Sequence, residues 1–171
     1  LQAAKKQAPD RQHKYYDPWL DQSRKIGLAL TATELGESLD EKVEAIAKVG
    51  HKVPVLGITG TGGAGKSSLI DELLHRNKNA FPEDAVAVVC VDPSKRKSGG
   101  GLLGDRIRMN SLSRKGIFMR SMASRGSGNE MAAALPDVIG QLKNMGFSYL
   151  IAETSGIGQA ASNITSVSDI S

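Results

Sequence analysis

An α/β fold, a parallel sheet flanked by helices, is what this sequence predicts, on three observations. Short apolar, β-branched runs alternate with helical patterns along the chain, the order that a sheet covered on both faces requires. A glycine-rich loop stands between one such run and a helix. Two of the runs end in an acid, at the carboxyl edge where open α/β sheets bind ligands. Composition agrees: 171 residues with 40% apolar content suit one ordinary core. No apolar run approaches the roughly 20 residues of a membrane helix. The single cysteine, Cys90, excludes an internal disulfide and a Cys-based zinc site, and suits a cytoplasmic, reducing setting.

Residues 1–35 are mostly polar, with an aromatic cluster of Tyr15, Tyr16 and Trp19 around Asp17-Pro18, and read as an extended linker anchoring a few rings. Ser38-Leu-Asp-Glu41 is a capping-box pattern. Leu39, Val43, Ile46, Ala47 and Val49 follow at roughly helical spacing, and Gly50 ends that helix. Residues 1–50 are therefore a linker and helical segment. The second unit, 51–171, begins with a buried strand over Val53–Thr59. A helix is predicted over Lys66–Asn77, with Leu69, Leu73 and Leu74 inward. Ala85–Val91 is a second buried strand, with Cys90 as a core residue. Ile117–Met119 is a short strand. Glu130–Met145 is a helix closed by Gly146, its first turns in question because of Pro136. The last strand is Phe147–Ala152.

Gly60-Thr-Gly-Gly-Ala-Gly65-Lys66-Ser67 satisfies G-x-x-x-x-G-K-[ST] at every required position, between a strand and a helix. This is the context in which the motif binds phosphate. Gly60, Gly62, Gly63, Ala64 and Gly65 let backbone N–H groups converge on phosphate oxygens without side-chain obstruction. The helix beginning Lys66-Ser67-Ser68 turns its positive end to the same place. Lys66 can reach the β and γ phosphates and is expected to serve catalysis, and the Ser67 hydroxyl can ligate Mg²⁺.

Such a site needs an acid at the end of another buried strand. Leu150-Ile-Ala-Glu153 supplies one, followed by Thr154-Ser155-Gly156, whose glycine N–H can meet a γ phosphate. Val88-Val-Cys-Val-Asp92 ends in another, and Asp105 lies in a glycine-rich basic loop. Each of these carboxylates has a plainer reading, as a strand-end or loop-capping acid. Between Pro93 and Arg125 there are nine basic residues and one acid, a local charge of +8 against −4 for the remainder. These cations either meet phosphate or an acidic partner, or form a solvated loop. Phe118 alone offers a stacking face in that stretch, so nucleic acid is not the expected partner.

Five stretches together resemble the SIMIBI-class P-loop GTPases that serve as chaperones of adenosylcobalamin-dependent mutases, in particular the G domains embedded in fused mutases of the isobutyryl-CoA type. They are Val55–Ser68, Val91-Asp-Pro-Ser94, Leu103–Met109, Met119-Arg-Ser121 and Glu153–Gln159. The resemblance covers about residues 53–166. It implies GTP or GDP on the phosphate loop and Mg²⁺ among Ser67, Asp92, Asp105 and Glu153. It also implies switch segments at Asp105 and from Gly156 to Gln159. Glu153 joins Lys66 as catalytic. The implied function is GTP hydrolysis coupled to cobalamin loading of an acyl-CoA mutase, in cis or in trans, in a homodimer. Two motifs are missing. No guanine-reading [NT]-K-x-[DE] is found, so the chain is read as stopping inside the G domain, and the fragment alone as inactive. No cobalamin-ligating Asp-x-His-x-x-Gly is found, so adenosylcobalamin would sit in an attached or partner domain. A small-molecule kinase and a non-catalytic docking fragment are the competing readings.

Overall fold

The computed structural model describes residues 18–37, 52–92, 109–123, 130–155 and 164–171. The order is α1 (Pro18–Leu35), β1 (Val55–Gly60), α2 (Lys66–Ala80), β2 (Val86–Asp92), a 3₁₀ turn (Asn110–Ser113), β3 (Ile117–Ala123), α3 (Glu130–Lys143) and β4 (Tyr149–Ser155). The four strands form one sheet in the order β1-β4-β2-β3, every pair parallel. The α/β reading of the sequence is what this architecture shows. The capping box and helix expected over 38–50 lie outside the described residues.

Strand alternation splits the core into two layers. Ala85, Ala87 and Val89 face one side, with Phe118, Leu150 and Ala152 from the neighbouring strands. They pack against Ile26 and Leu30 of α1 and against Leu135, Val138, Ile139 and Leu142 of α3. Val86, Val88 and Cys90 face the other side with Ile117, Met119 and Ile151, beneath Ile70 and Leu74 of α2. Covering both faces lets the central strands read as unbroken apolar runs.

The N-terminal region departs from expectation. Pro18–Leu35, read as extended linker, is a helix whose Ile26, Ala29 and Leu30 enter the core. It closes in a Schellman turn: Gly36 (φ +68°) donates its N–H to the Thr33 carbonyl at 3.1 Å and Glu37 donates to the Ala32 carbonyl at 2.8 Å. In α2 the inward residues are Ile70 and Leu74, whereas Leu69 is 52% exposed. The buried face follows the i, i+4 row 70–74–78, about 100° around the helix from Leu69. Lys78, at the end of that row, is buried, and its ammonium donates to the carbonyls of Pro82 and Asp84. Burial lowers the Lys78 pKa from its usual value, partly offset by the charge of Glu83. The helix α3 runs continuously through Pro136, and Gly146 (φ +85°) lies in the turn that follows it.

Residues 164–171 lie along β1. Gly57 N–H donates to the Ile170 carbonyl at 2.7 Å, and the Asp169 carboxylate accepts from Val55 N–H at 2.9 Å and from Lys52 at 2.6 Å. The hydrogen bond from Lys52, and then that from Val55, holds the Asp169 pKa below its usual value. The approach requires glycine at 57, where a Cβ would stand 2.8 Å from both Ile164 Cγ2 and Ser168 Oγ. Gly57→Ala is therefore expected to lower stability by about 1–3 kcal/mol, the usual cost of overpacking. Chemical denaturation of the full-length protein would measure it, and an unchanged midpoint would mean that 164–171 yields freely.

Candidate functional site

Strand order places the site. Because β4 lies beside β1, the loop leaving β1 and the acid at the end of β4 share the carboxyl edge of the sheet. The loop needs its glycines: Gly60, Gly63 and Gly65 have φ of 151°, 79° and 84°, values that L side chains rarely adopt. Gly65 is the left-handed N-cap of α2 and makes no side-chain capping bond. With glycine at the N-cap, no side chain caps the first amides of α2. Residues 61–65 and Ser68 are exposed, and Lys66 and Ser67 are half-buried.

Two side chains organise this loop. The Lys66 ammonium donates to the carbonyls of Gly60 and Thr61, each at 2.9 Å, so its charge is held against the loop mouth. The Ser67 hydroxyl donates to Glu153 Oε1 at 3.3 Å, across 86 residues of sequence. Glu153 is buried at 7% exposure. It lies two residues beyond Ile151, whose side chain packs beneath α2, and strand alternation turns Glu153 to that same face. Its second oxygen, Oε2, accepts from the Cys90 thiol at 3.4 Å.

Both Ser67 Oγ and the Glu153 carboxylate are hard oxygen donors. Their 3.3 Å separation is close to the roughly 3 Å between neighbouring ligands of a six-coordinate Mg²⁺ with bonds of about 2.0–2.1 Å. The donor set therefore fits that cation. Among the described residues no group of three or more His, Cys, Asp and Glu could hold a metal.

Of the residues singled out in the sequence, the structure brings together Gly60, Gly62, Gly63, Ala64, Gly65, Lys66, Ser67 and Ser68 on one loop, with Glu153 against Ser67. The backbone of Asp92 ends β2, whose Val91 pairs with Thr154 one residue beyond Glu153. Asp105 and Gly156 lie outside the described residues. Three members of the basic stretch have described side chains. Arg120 is spent on Glu34 of α1 through two bonds of 2.7 and 2.8 Å, with a third to Thr31 Oγ1. Arg114 donates to the His75 carbonyl and to Asn79 Oδ1. For these two the cation is a tether between elements, a role the charge count could not reveal. Lys115 is exposed.

Sequence reading also missed Asp71, one turn along α2 from the phosphate loop. Its carboxylate accepts from Ser111 N–H at 2.8 Å, and the Ser111 hydroxyl donates to its carbonyl at 3.1 Å. Partial burial opposes ionisation of Asp71, but the hydrogen bonds from Ser111 outweigh it and lower its pKa. The segment beginning at Met109 is thereby tied to the helix that carries Lys66 and Ser67. The local signal, an acid at the sixth helical position, is too common to have marked it.

Residues 28–171 match the protein family described as methylmalonyl Co-A mutase-associated GTPase MeaB. The chain is 52% identical over 140 residues to a fused isobutyryl-CoA mutase of Geobacillus kaustophilus, covering 82% of this chain and 13% of that protein. It is 52% identical over 153 residues to a fused isobutyryl-CoA mutase of Cupriavidus metallidurans, covering 86% of this chain and 14% of that one. Identity to the mitochondrial methylmalonic aciduria type A homolog of Caenorhabditis elegans is 32% over 138 residues, 77% of this chain and 34% of the relative. The chain thus spans a minor part of the length of each of these relatives.

Proposed function

The chain belongs to the MeaB family of mutase-associated GTPases, and from that membership we propose that it binds GTP on the Gly60–Ser67 loop, hydrolyses it with Mg²⁺, and couples the cycle to cobalamin loading of an acyl-CoA mutase. The mutase is of the isobutyryl-CoA type, joined to this domain or bound by it, and adenosylcobalamin is held by that partner. The observation that carries this reading is the contact between Ser67 and Glu153. It joins the phosphate loop to a buried carboxylate through two oxygens 3.3 Å apart, a spacing that supports reading them as Mg²⁺ ligands.

Each residue has a part in the chemistry. The loop amides and the α2 N-terminus take up phosphate charge. Lys66, now held by two loop carbonyls, would transfer its hydrogen bonds to the β and γ phosphates and balance charge as the γ group leaves. Ser67 and Glu153 would hold Mg²⁺, which when bound neutralises phosphate charge. Asp92 and Asp105 are proposed to complete its surroundings, with Gly156 donating to the γ phosphate.

Phosphate release by the full-length protein with GTP and with ATP, each with and without Mg²⁺, tests the proposal. Release that requires both GTP and Mg²⁺ is expected. Faster release with ATP, or release only when an acceptor metabolite is added, would replace a GTPase with a kinase.

A further inference from the structure

We propose that Cys90 is a positioning residue for Glu153, its thiol donating to one carboxylate oxygen so that the other is turned to Ser67 and the divalent cation. The inference rests on the reading of Ser67 and Glu153 as cation ligands and deepens it. It concerns how the carboxylate is held.

The geometry is specific. Cys90 and Glu153 are direct partners in the parallel register of β2 and β4, so their side chains stand side by side on the α2 face of the sheet. Cys90 is 6% exposed and Glu153 7%. The two carboxylate oxygens have different partners: Oε1 accepts from Ser67 Oγ at 3.3 Å, and Oε2 from Cys90 Sγ at 3.4 Å. A carboxylate held at both oxygens cannot rotate about its terminal torsion without giving up one bond, and that torsion is otherwise soft. A buried carboxylate also needs donors in place of lost water, and even a weak S–H donor contributes where water is excluded. On the far side of Cys90 its register partner in β3 is Ser121, whose hydroxyl is buried without a hydrogen-bond partner. Ser121, Cys90 and Glu153 thus form a polar row within a sheet face that is apolar at Val86, Val88 and Ile151. An apolar residue at 90 would complete that face equally well for packing, so the thiol is best explained by what it donates to.

The test compares three variants of the full-length protein. Cys90→Ala and Cys90→Val remove the donor, the second while keeping apolar bulk, and Cys90→Ser restores an O–H donor. The readout is the affinity of the GDP-bound protein for Mn²⁺, followed by the EPR signal of the free ion, alongside GDP affinity in EDTA. Loss of a hydrogen bond worth about 1 kcal/mol corresponds to roughly a fivefold weakening. Ala and Val should both show it, Ser should stay near wild type, and GDP affinity in EDTA should be unchanged in all three. Mn²⁺ affinity unchanged in Ala and Val would overturn the proposal. So would a Ser variant as weak as Ala, because packing alone would then account for the effect. If wild type itself bound no Mn²⁺ with GDP, the reading of Ser67 and Glu153 as cation ligands would fail, a result distinct from either.

Discussion

Lys66→Ala should reduce nucleotide-dependent phosphate release by at least about two orders of magnitude, the usual cost of removing one preorganised donor from a charge-stabilising site. The physical reason lies in where the ammonium sits. Lys66 follows the loop directly and is held by the carbonyls of Gly60 and Thr61. Its charge is fixed at the loop mouth before any substrate arrives, and little reorganisation is needed when phosphate enters. Truncation removes that charge and also one donor from each carbonyl, Thr61 keeping only the Ala64 N–H at 3.3 Å, so the loop itself would loosen. Lys66→Arg separates the two effects, since it keeps the charge but cannot match the compact ammonium between two close carbonyls. Phosphate release at saturating nucleotide, with nucleotide affinity measured alongside, would decide. Turnover within a few-fold of wild type in Lys66→Ala would withdraw the assignment of this loop as the hydrolytic site.

What could be read in the sequence was whatever depends on near neighbours. The apolar runs of β2 and β4 are buried on both faces and betray themselves by composition, and β1, half-buried on its second face, is still short, apolar and β-branched. The phosphate loop carries its own spacing, and Gly146 lies just after α3 as a terminating glycine does. What escaped depends on contacts between distant residues. Strand β3 runs four residues past its expected end at Met119, to Ala123. Arg120 and Ser121 look like loop residues until Arg120 meets Glu34, 86 positions away on α1. The helix α1 is obscured by the polar, charged stretch that precedes it, although Asp17-Pro18 is a helix-start signal. Its buried Ile26, Ala29 and Leu30 also follow helical spacing. Leu69 points outward because the row that faces the sheet is that of Ile70, one residue on, and a run of leucines does not mark which row that is. At the site, Glu153 was legible as a strand-end acid. The thiol beside it read as core because its partner lies across a strand register that no local pattern encodes.

Glu153→Ala should lower Mg²⁺-dependent phosphate release by about 10²-fold while changing GDP affinity only a few-fold, because its carboxylate stands on the cation side of the proposed site. Burial makes the effect large. At 7% exposure the carboxylate cannot be replaced cheaply by bulk water, and its loss removes the acceptor to which both the Ser67 hydroxyl and the Cys90 thiol now donate. Some loss of stability will accompany the change, so Glu153→Gln is the sharper probe: it keeps shape and one acceptor oxygen but removes the charge. If the negative charge is what holds Mg²⁺, Glu153→Gln should require more Mg²⁺ for half-maximal release and recover part of its rate at high Mg²⁺, whereas Ala should recover less. The Mg²⁺ dependence of release in both variants, set against GDP affinity in EDTA, distinguishes the cases. A fall in GDP affinity as large as the fall in turnover would assign Glu153 to holding β4 against α2, and the cation would then have to be held by other oxygens at the same sheet edge.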